Sequence, residues 1–236
     1  MIMAYKLIQA KPVSYGGTRA LSAVKYIVIH YTAGNGDTAI AECNYFKNGN
    51  TRSAGAHFFV DQSGSCYQSI PMNRTAWSVG GFYTKANGAG SYYNICTNFN
   101  SVSIELCDNL NKDPSAKQIA ATKTQVKYIQ SQCSNAKTII RHWDVNGKCC
   151  PARMAGTNNA KWNSFRTAIT SKGFEPYKMK ITKAAGVRPK PSWTAKKSMV
   201  LYPGGVYTIV EENKAKTWGR LKSGAGWVNK GYYKKI

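Results

Sequence analysis

Hydrophobic and polar residues follow two different periods along the first 170 residues, and these periods predict strands that are interleaved with helices. The continuous apolar run VKYIVIHY at 24–31 is typical of a strand that is buried on both faces. Two short apolar runs around DQSG, within 56–70, predict a hairpin. SVSIELC at 101–107 and KTIIRH at 137–142 predict two further strands.

Three other segments place apolar residues at helical spacing. The predicted helices and their apolar faces are 38–48 with Ile40, Cys43 and Phe46, 114–133 with Ile119, Val126, Ile129 and Cys133, and 158–169 with Trp162, Phe165 and Ile169. Because strands and helices alternate, we expect an α/β domain in which helices flank a mixed central β-sheet.

The pattern changes near residue 171. SKGFEP at 171–176 predicts a short linker, since Gly and Pro interrupt regular structure. Residues 177–236 contain brief strand-like runs that are separated by Pro and Gly and show no helical period, which is typical of a small β-barrel. The sequence therefore predicts one domain at 1–170 and a smaller all-β domain at 177–236.

The net charge of the chain predicts the class of its binding partner. The formal net charge is +23, and residues 180–236 alone hold 13 Lys and Arg against 2 Asp and Glu. Such a field attracts nucleic acid, an acidic membrane surface or an anionic cell-wall polymer, although a basic surface that only aids solubility fits as well. No nucleic-acid motif is recognisable, so we expect no nucleic-acid partner.

The remaining composition bears on location. No apolar run approaches the roughly 18 residues of a transmembrane helix, and the first residues lack the apolar stretch of a signal peptide. The seven cysteines are odd in number and irregularly spaced, which favours reduced thiols and folding in a cytoplasm. We therefore expect no integral membrane segment and no export signal.

Candidate metal ligands lie where apolar strands end. His30 and His142 each leave such a strand, and CCP follows the second of them. Catalytic zinc has three protein ligands and one open position, so a His, His, Cys set fits Zn2+. A set of three histidines, with His57 in place of the cysteine, is the competing interpretation.

The choice between Cys149 and Cys150 depends on Pro151. A proline disfavours the α region for the residue before it, so Cys150 should be extended. In an extended segment Lys148 and Cys150 face one way and Cys149 faces the other, towards packing. If Cys150 is the ligand, the ammonium group of Lys148 lies beside the metal, where it could stabilise an oxyanion.

Glu105 stands within an apolar strand, between Ile104 and Leu106. A carboxylate in such a strand costs free energy unless it is paired or functional. Two interpretations remain open, namely a solvent-facing position on an edge strand and a general base beside the metal site.

Five motifs in order, YIVIHYTAG, SAGAHFFVDQSGSCYQSIP, AWSVGG, SVSIELCDN and RHWDVNGKCCP, resemble the zinc-dependent N-acetylmuramoyl-L-alanine amidases with the peptidoglycan-recognition fold. The similarity spans residues 20–170 and is greatest to phage and prophage endolysins and spore-type autolysins of Gram-positive hosts. It implies that Zn2+ is bound by His30, His142 and Cys150, that Glu105 is the catalytic acid and base, and that Lys148 stabilises the tetrahedral intermediate.

The same resemblance implies the reaction and the partners. The reaction is hydrolysis of the amide between muramic acid and the L-alanine of the stem peptide, and some family members bind peptidoglycan without cutting it. The resemblance assigns His57 and Trp77 to the substrate cleft. The chain departs from the family at Ala56, where one branch has a catalytic tyrosine, and at Ser78, where many members have histidine.

The C-terminal segment, most clearly GAGWV near its end, resembles bacterial SH3-like cell-wall-binding domains. Of its tryptophans we expect Trp193 to be exposed and Trp227 to lie in the core. This resemblance implies that the domain targets the anionic wall of a Gram-positive host. A chain of this type would stay in the host cytoplasm until lysis and then act on the wall.

Overall fold

The computed structural model describes residues 5–81, 90–171, 174 and 176–236. These residues form two compact units that divide after Ser171. The predicted linker at 171–176 contains this division, and its residues 172, 173 and 175 lie outside the described residues. In the described part of the chain, no helix is both long and apolar enough to cross a membrane.

The first unit contains helices and strands in alternation, as the sequence predicts. Its described helices are α1 (Ala39–Asn48), α2 (Ala116–Gln132), α3 (His142–Asn146) and α4 (Ala160–Thr170). Its described strands are β1 (Tyr15–Thr18), β2 (Tyr26–Tyr31), β3 (Phe58–Val60), β4 (Cys66–Gln68), β5 (Arg74–Ala76), β6 (Ser101–Leu106) and β7 (Thr138–Arg141).

Five of these strands form the central sheet in the order β4-β3-β6-β2-β7, while β1 and β5 pair separately. Strand β2 pairs in parallel with both β6 and β7, and β3 is parallel to β6 but antiparallel to β4. The predicted mixed central sheet is therefore confirmed, and so is the hairpin, which β3 and β4 form.

Alternation along the central strands separates two faces of the sheet. Ile27 and Ile29 of β2 belong to the same core cluster as Ile104 of β6, and this cluster includes the apolar residues of α2 and α4. Val28 belongs to a second cluster, on the other face, which includes Val145 of α3. Side chains that alternate with the isoleucines of β2 therefore lie on the α3 face.

The predicted helix faces hold for α2 and α4 and fail at one position in α1. Trp162, Phe165 and Ile169 of α4 are all buried, as predicted. In α1 the side chain of Ile40 is 41% exposed, so its assignment to the core was wrong. The buried residues are Ala39 and Cys43. The helix begins at Ala39 after the Thr38 cap, and the face that holds these two residues is the one that packs towards the sheet.

The second unit is built of strands, and its described residues include no α-helix. Its strands are β8 (Tyr177–Ile181), β9 (Ala185–Val187), β10 (Met199–Leu201), β11 (Val206–Glu212), β12 (Trp218–Leu221), β13 (Trp227–Asn229) and β14 (Tyr233–Lys235). Five of them form an antiparallel sheet in the order β13-β12-β11-β8-β14, and β9 pairs with β10. This arrangement confirms the small all-β unit.

The tryptophans of the second unit differ in burial. Trp193 is 57% exposed, as the sequence predicts, and Trp218 is buried. Trp227 is only half-buried, so its assignment to the core was wrong. The unit instead packs its core around a set of aliphatic residues and methionine: Met179, Ile181, Val187, Leu201, Ile209, Leu221 and Val228.

A buried histidine joins the elements of the first unit that lie around β6. The backbone N–H of Ser103 donates to Nδ1 of His57 at 3.1 Å, and Nε2 lies 3.1 Å from the carbonyl oxygen of Arg74. Because a backbone N–H and a guanidinium N–H can only donate, one ring nitrogen of the neutral histidine accepts while the other carries the proton and donates, to Arg74 from Nε2 or to the Ser103 hydroxyl from Nδ1. Arg19 lies 2.9 Å from Nε2, and it donates to three backbone carbonyls, those of Met72, Asn98 and Phe99.

These contacts correct the expectation that His57 lines the substrate cleft. The side chain is fully buried, and its two ring nitrogens contact protein groups. Burial and the neighbouring positive charge of Arg19 lower the pKa of His57 to about 3. A second ring proton would leave the ring without any acceptor for these donors and place two positive charges together, so His57 is a structural residue that stays neutral.

Protonation of His57 should make the fold sensitive to acid. Its pKa is about 3 when folded and about 6.5 when unfolded, so between these values the unfolded chain binds the extra proton. This residue should therefore reduce the free energy of unfolding as the pH falls through that window, by at most about 1.4 kcal/mol per pH unit. In His57→Gln the slope of stability against pH, measured by urea unfolding, should be smaller by that amount.

A matched control is Asn50→Ala. Asn50 is buried and donates to Ser14 Oγ at 2.7 Å, but it does not titrate. This variant should be less stable at every pH with an unchanged slope. An unchanged slope in His57→Gln would contradict the neutral, buried state of the histidine.

Candidate active site

Two of the predicted site residues come from neighbouring central strands. His30 of β2 and Glu105 of β6 are direct register partners in the parallel pair. Both alternate with the isoleucines that pack against α2 and α4, so both side chains lie on the opposite face of the sheet. Strand β6 lies between β3 and β2, which excludes the interpretation of Glu105 as a solvent-facing residue on an edge strand.

His142 is positioned by the sharp change from β7 to α3. The backbone N–H of Arg141 donates to Asp144 Oδ2 at 2.8 Å, which caps the first turn of the helix directly at the histidine. The helix ends after five residues at Gly147, whose φ of 81° is a left-handed conformation that favours glycine. The chain therefore turns back towards His142 immediately.

A closed loop brings Cys150 to the same place. The backbone N–H of Trp143 donates to the Cys150 carbonyl at 2.9 Å, so the end of the loop returns to the start of α3. The N–H of Lys148 donates to Asn146 Oδ1 at 3.1 Å, and Asn146 Nδ2 donates to the Gly80 carbonyl at 3.0 Å. These hydrogen bonds fix the loop between His142 and the 78–81 segment.

His30, His142 and Cys150 form a buried cluster. Their candidate ligand atoms all lie within 4.8 Å of one another. Cys150 Sγ is 3.7 Å from His30 Nδ1, and the two imidazole centroids are 4.7 Å apart. His57 is not a member of the cluster, so within the described residues the three-histidine alternative has no geometric basis.

The polar atoms of this cluster fit a bound cation. Nε2 of His30, both ring nitrogens of His142 and Oε2 of Glu105 are buried and have no hydrogen-bond partner. Buried polar atoms without partners cost roughly 1–3 kcal/mol each, so their concentration at one place indicates a missing partner. Two imidazoles and one thiolate are ligands that Zn2+ prefers, and three protein ligands leave one position open.

Burial controls the protonation of these groups. It lowers the pKa of His30 well below its usual value, with a further contribution from His142, and it lowers the pKa of His142 to about 4. Both imidazoles are therefore neutral at neutral pH, which is the form that binds a metal. Burial raises the pKa of Glu105 to about 8, while the positive charge of Lys148 opposes this rise.

Lys148 acts on the cluster through its charge, from a position that differs from the prediction. The backbone N–H of Cys150 donates to the Lys148 carbonyl at 2.6 Å, a tight turn rather than an extended segment. Strict alternation was therefore the wrong description, and Lys148 and Cys149 are both exposed while Cys150 is buried. The ammonium group nevertheless lowers the pKa values of His142 and Glu105.

Two further predictions concern Cys149 and Trp77. Cys149 is exposed, so its expected packing role was wrong, although Cys150 is the member of the pair that turns inward, as predicted. Trp77 is 37% exposed, and its ring lies over Gly16, where an added Cβ would come within 2.5 Å of the indole. A partly exposed, well-supported indole can contact a ligand, so its role in the cleft stays a prediction.

Arg141 supports the site, and the sequence analysis did not identify it. Its guanidinium group is buried, pairs with Asp144 at 2.7 Å and also donates to the carbonyl of Met154. This one side chain therefore ties the residue before His142 to the chain just after Cys150. A basic residue that ends the apolar run TII, with an acid three positions later, was the available signal.

Comparisons with known proteins identify the family to which the first unit is similar. Residues 20–153 match the Amidase_2 family model, N-acetylmuramoyl-L-alanine amidase. The amidase CwlA of Bacillus subtilis (strain 168) is 31% identical over 191 residues, which cover 78% of this chain and 64% of CwlA. The amidase BlyA of the same organism is 28% identical over 223 residues, which cover 89% of this chain and 58% of BlyA.

A solved structure extends the similarity to the fold. The structure of PlyL superimposes with a TM-score of 0.57 at 25% identity, and the match covers 73% of this chain and all of PlyL. The chain spans 58–64% of the length of the two curated relatives. The family match includes His30, Glu105, His142, Lys148 and Cys150 within its bounds. The chain belongs to the N-acetylmuramoyl-L-alanine amidase family.

Proposed function

We propose that this protein is a zinc-dependent peptidoglycan hydrolase of the endolysin type, which cleaves the amide between N-acetylmuramic acid and L-alanine. The observation that carries the proposal is the buried His30, His142 and Cys150 cluster, with Glu105 in register beside His30. A zinc ion held by these three residues would supply a Lewis acid that polarises a carbonyl and makes water a nucleophile at neutral pH.

Glu105 would move the protons of the reaction. Its carboxylate accepts a proton from the attacking water, whose oxygen joins the lactyl carbonyl carbon. As the carbon–nitrogen bond breaks, Glu105 returns the proton to the nitrogen, which leaves as the free amino group of alanine. One residue can serve as base and then as acid because its buried environment raises its pKa towards neutrality.

Lys148 would favour the transition state over the bound substrate. Its positive charge already acts on Glu105 and His142 from the rim of the cluster. Negative charge grows on the carbonyl oxygen only as the tetrahedral species forms, so a nearby ammonium group stabilises that species more than the ground state. Trp77, partly exposed on its glycine support, would contact the glycan or the stem peptide.

The second unit would hold the enzyme on its insoluble substrate. We propose that it is an SH3-like domain which binds the Gram-positive wall and its anionic polymers, because residues 180–236 hold 13 basic and only 2 acidic residues. A binding domain on the same chain raises the effective concentration of the catalytic unit near its target.

Purified Gram-positive walls provide the test of this function. Zinc-loaded protein should release new free N-terminal alanine from the walls, which amino-terminal labelling can quantify. New reducing sugars would instead indicate a glycosidase. Binding to the walls without any new amine would favour a non-catalytic peptidoglycan-binding protein and would contradict the proposal.

Substitution of the two adjacent cysteines should separate the ligand from its neighbour. Cys150→Ser should lose most of the bound zinc and the lysis of walls, since the buried Sγ lies within 4.8 Å of a ring nitrogen of each histidine. Cys149→Ser should retain about one zinc per chain, because the exposed thiol is outside the cluster. Metal content can be measured by plasma mass spectrometry. Loss of zinc in Cys149→Ser alone would contradict the assignment.

Substitution of the catalytic carboxylate should separate chemistry from metal binding. Glu105→Gln should keep its zinc and release alanine about 100-fold more slowly or worse, since a proton acceptor contributes at least that much. Glu42→Gln is the matched control, because Glu42 is a half-buried carboxylate of α1 whose pKa burial raises to about 7. This control should keep most of the activity. An equal loss in both variants would argue against a specific role for Glu105.

A further inference from the structure

Arg188 occupies an unusual position at the end of β9 in the second unit. Its backbone pairs with Trp227 of β13 through two hydrogen bonds, N–H to carbonyl at 3.0 Å and the reverse at 2.7 Å. The residue is only 9% exposed. A guanidinium group is rarely buried without a carboxylate, since removal of its charge from water is costly.

The loop that follows Arg188 folds around this guanidinium group. Nη1 donates to the carbonyl oxygen of Ala195, while Nε is buried and has no hydrogen-bond partner. The Trp193 ring centroid is 5.5 Å from Cζ of Arg188. Trp193 also contacts the buried Trp218 edge-on at 4.9 Å and yet is 57% exposed. A supported indole therefore forms one wall beside the cation and faces solvent.

The described residues of the second unit provide no counter-ion for Arg188. Residues 180–236 contain two acids, Glu211 and Glu212. Glu211 pairs with Arg220 at 3.3 Å, and Glu212 pairs with Lys230 at 2.5 Å. Among the described residues, none forms an ion pair with Arg188. The positive charge of this guanidinium group therefore has no carboxylate partner among the described residues.

We infer that Arg188 and Trp193 form a binding site for a phosphodiester group of an anionic wall polymer. A guanidinium group presents its N–H donors in a planar fork that matches phosphate oxygens. The same loop carries the exposed Lys190 and Lys196 and no acid, so successive phosphates of a polymer would meet further positive charges. The inference deepens the proposed function, because it rests on the proposed attachment of this unit to the wall.

Calorimetric titration of the full chain with soluble poly(glycerol phosphate) tests the site. Arg188→Gln should bind the polymer about tenfold more weakly, since a charge-assisted hydrogen bond is lost. The matched control is Lys180→Gln, which removes the same charge from an exposed position on β8, three strands from β13. This control should change the affinity less than about twofold, in keeping with a single screened surface charge.

A second variant keeps the test decisive if Arg188→Gln unfolds. Trp193→Ala truncates an exposed side chain and leaves Arg188 in place, so the melting temperature should change little while the affinity for the polymer falls severalfold. Unchanged affinity in Trp193→Ala, or equal losses in Arg188→Gln and Lys180→Gln, would show binding by overall charge and overturn the site. Absence of binding by the unsubstituted protein would overturn it as well.

Two further arms identify the ligand and separate this inference from the enzymatic proposal. Inorganic phosphate at the same phosphate concentration should bind far more weakly than the polymer, and equal binding would assign the site to free phosphate instead. Walls stripped of phosphodiester polymers should yield free alanine equally with Arg188→Gln and the unsubstituted protein. If the polymer binds but no alanine appears, the enzymatic proposal fails and the site stands. If alanine appears but no polymer binds, the reverse holds.

Discussion

The concentration of unpartnered polar atoms on one face of the central sheet is the constraint on which the first unit depends. His30, His142 and Glu105 all bury atoms that have no hydrogen-bond partner, next to a buried thiol. Each such atom reduces stability by roughly 1–3 kcal/mol. The surrounding structure must offset this cost, because the site can be held ready for a ligand only by a scaffold that stays folded without it.

The scaffold offsets this cost with apolar packing and with buried hydrogen bonds around the site. Apolar residues of α2 and α4 pack against the opposite face of the sheet, where they bury a continuous core. His57 and Arg19 join β6 to the loops around it, and Arg141 joins the chain before His142 to the chain after Cys150. The cluster is therefore preorganised by contacts that lie outside it, and this reduces the entropy that a ligand must remove on binding.

Much of the first unit could be predicted from the sequence because its strands and helices have strong periods. The buried run at 24–31 predicts β2, and the spacing of Trp162, Phe165 and Ile169 predicts the buried face of α4. Contacts between residues that are distant in the sequence were harder to predict. The prediction of an extended segment from Lys148 to Cys150 was wrong. It considered only the local effect of Pro151 and not the hydrogen bond that the Trp143 N–H donates to the Cys150 carbonyl. His57 was misassigned because burial by β6 and Arg19 is set by tertiary packing.

The pairing of β2 with β6 also limits how this sequence can change. His30 and Glu105 lie on the same face of the sheet because they are register partners in the parallel pair and because side chains alternate between the two faces along each strand. Loss or gain of one residue within either strand would turn its polar side chain into the apolar layer and bring an isoleucine to the other side. Changes of two residues would preserve the faces. Length variation in this family should therefore accumulate in the loops that follow these strands, where it can reshape the cleft and leave the reactive groups in place.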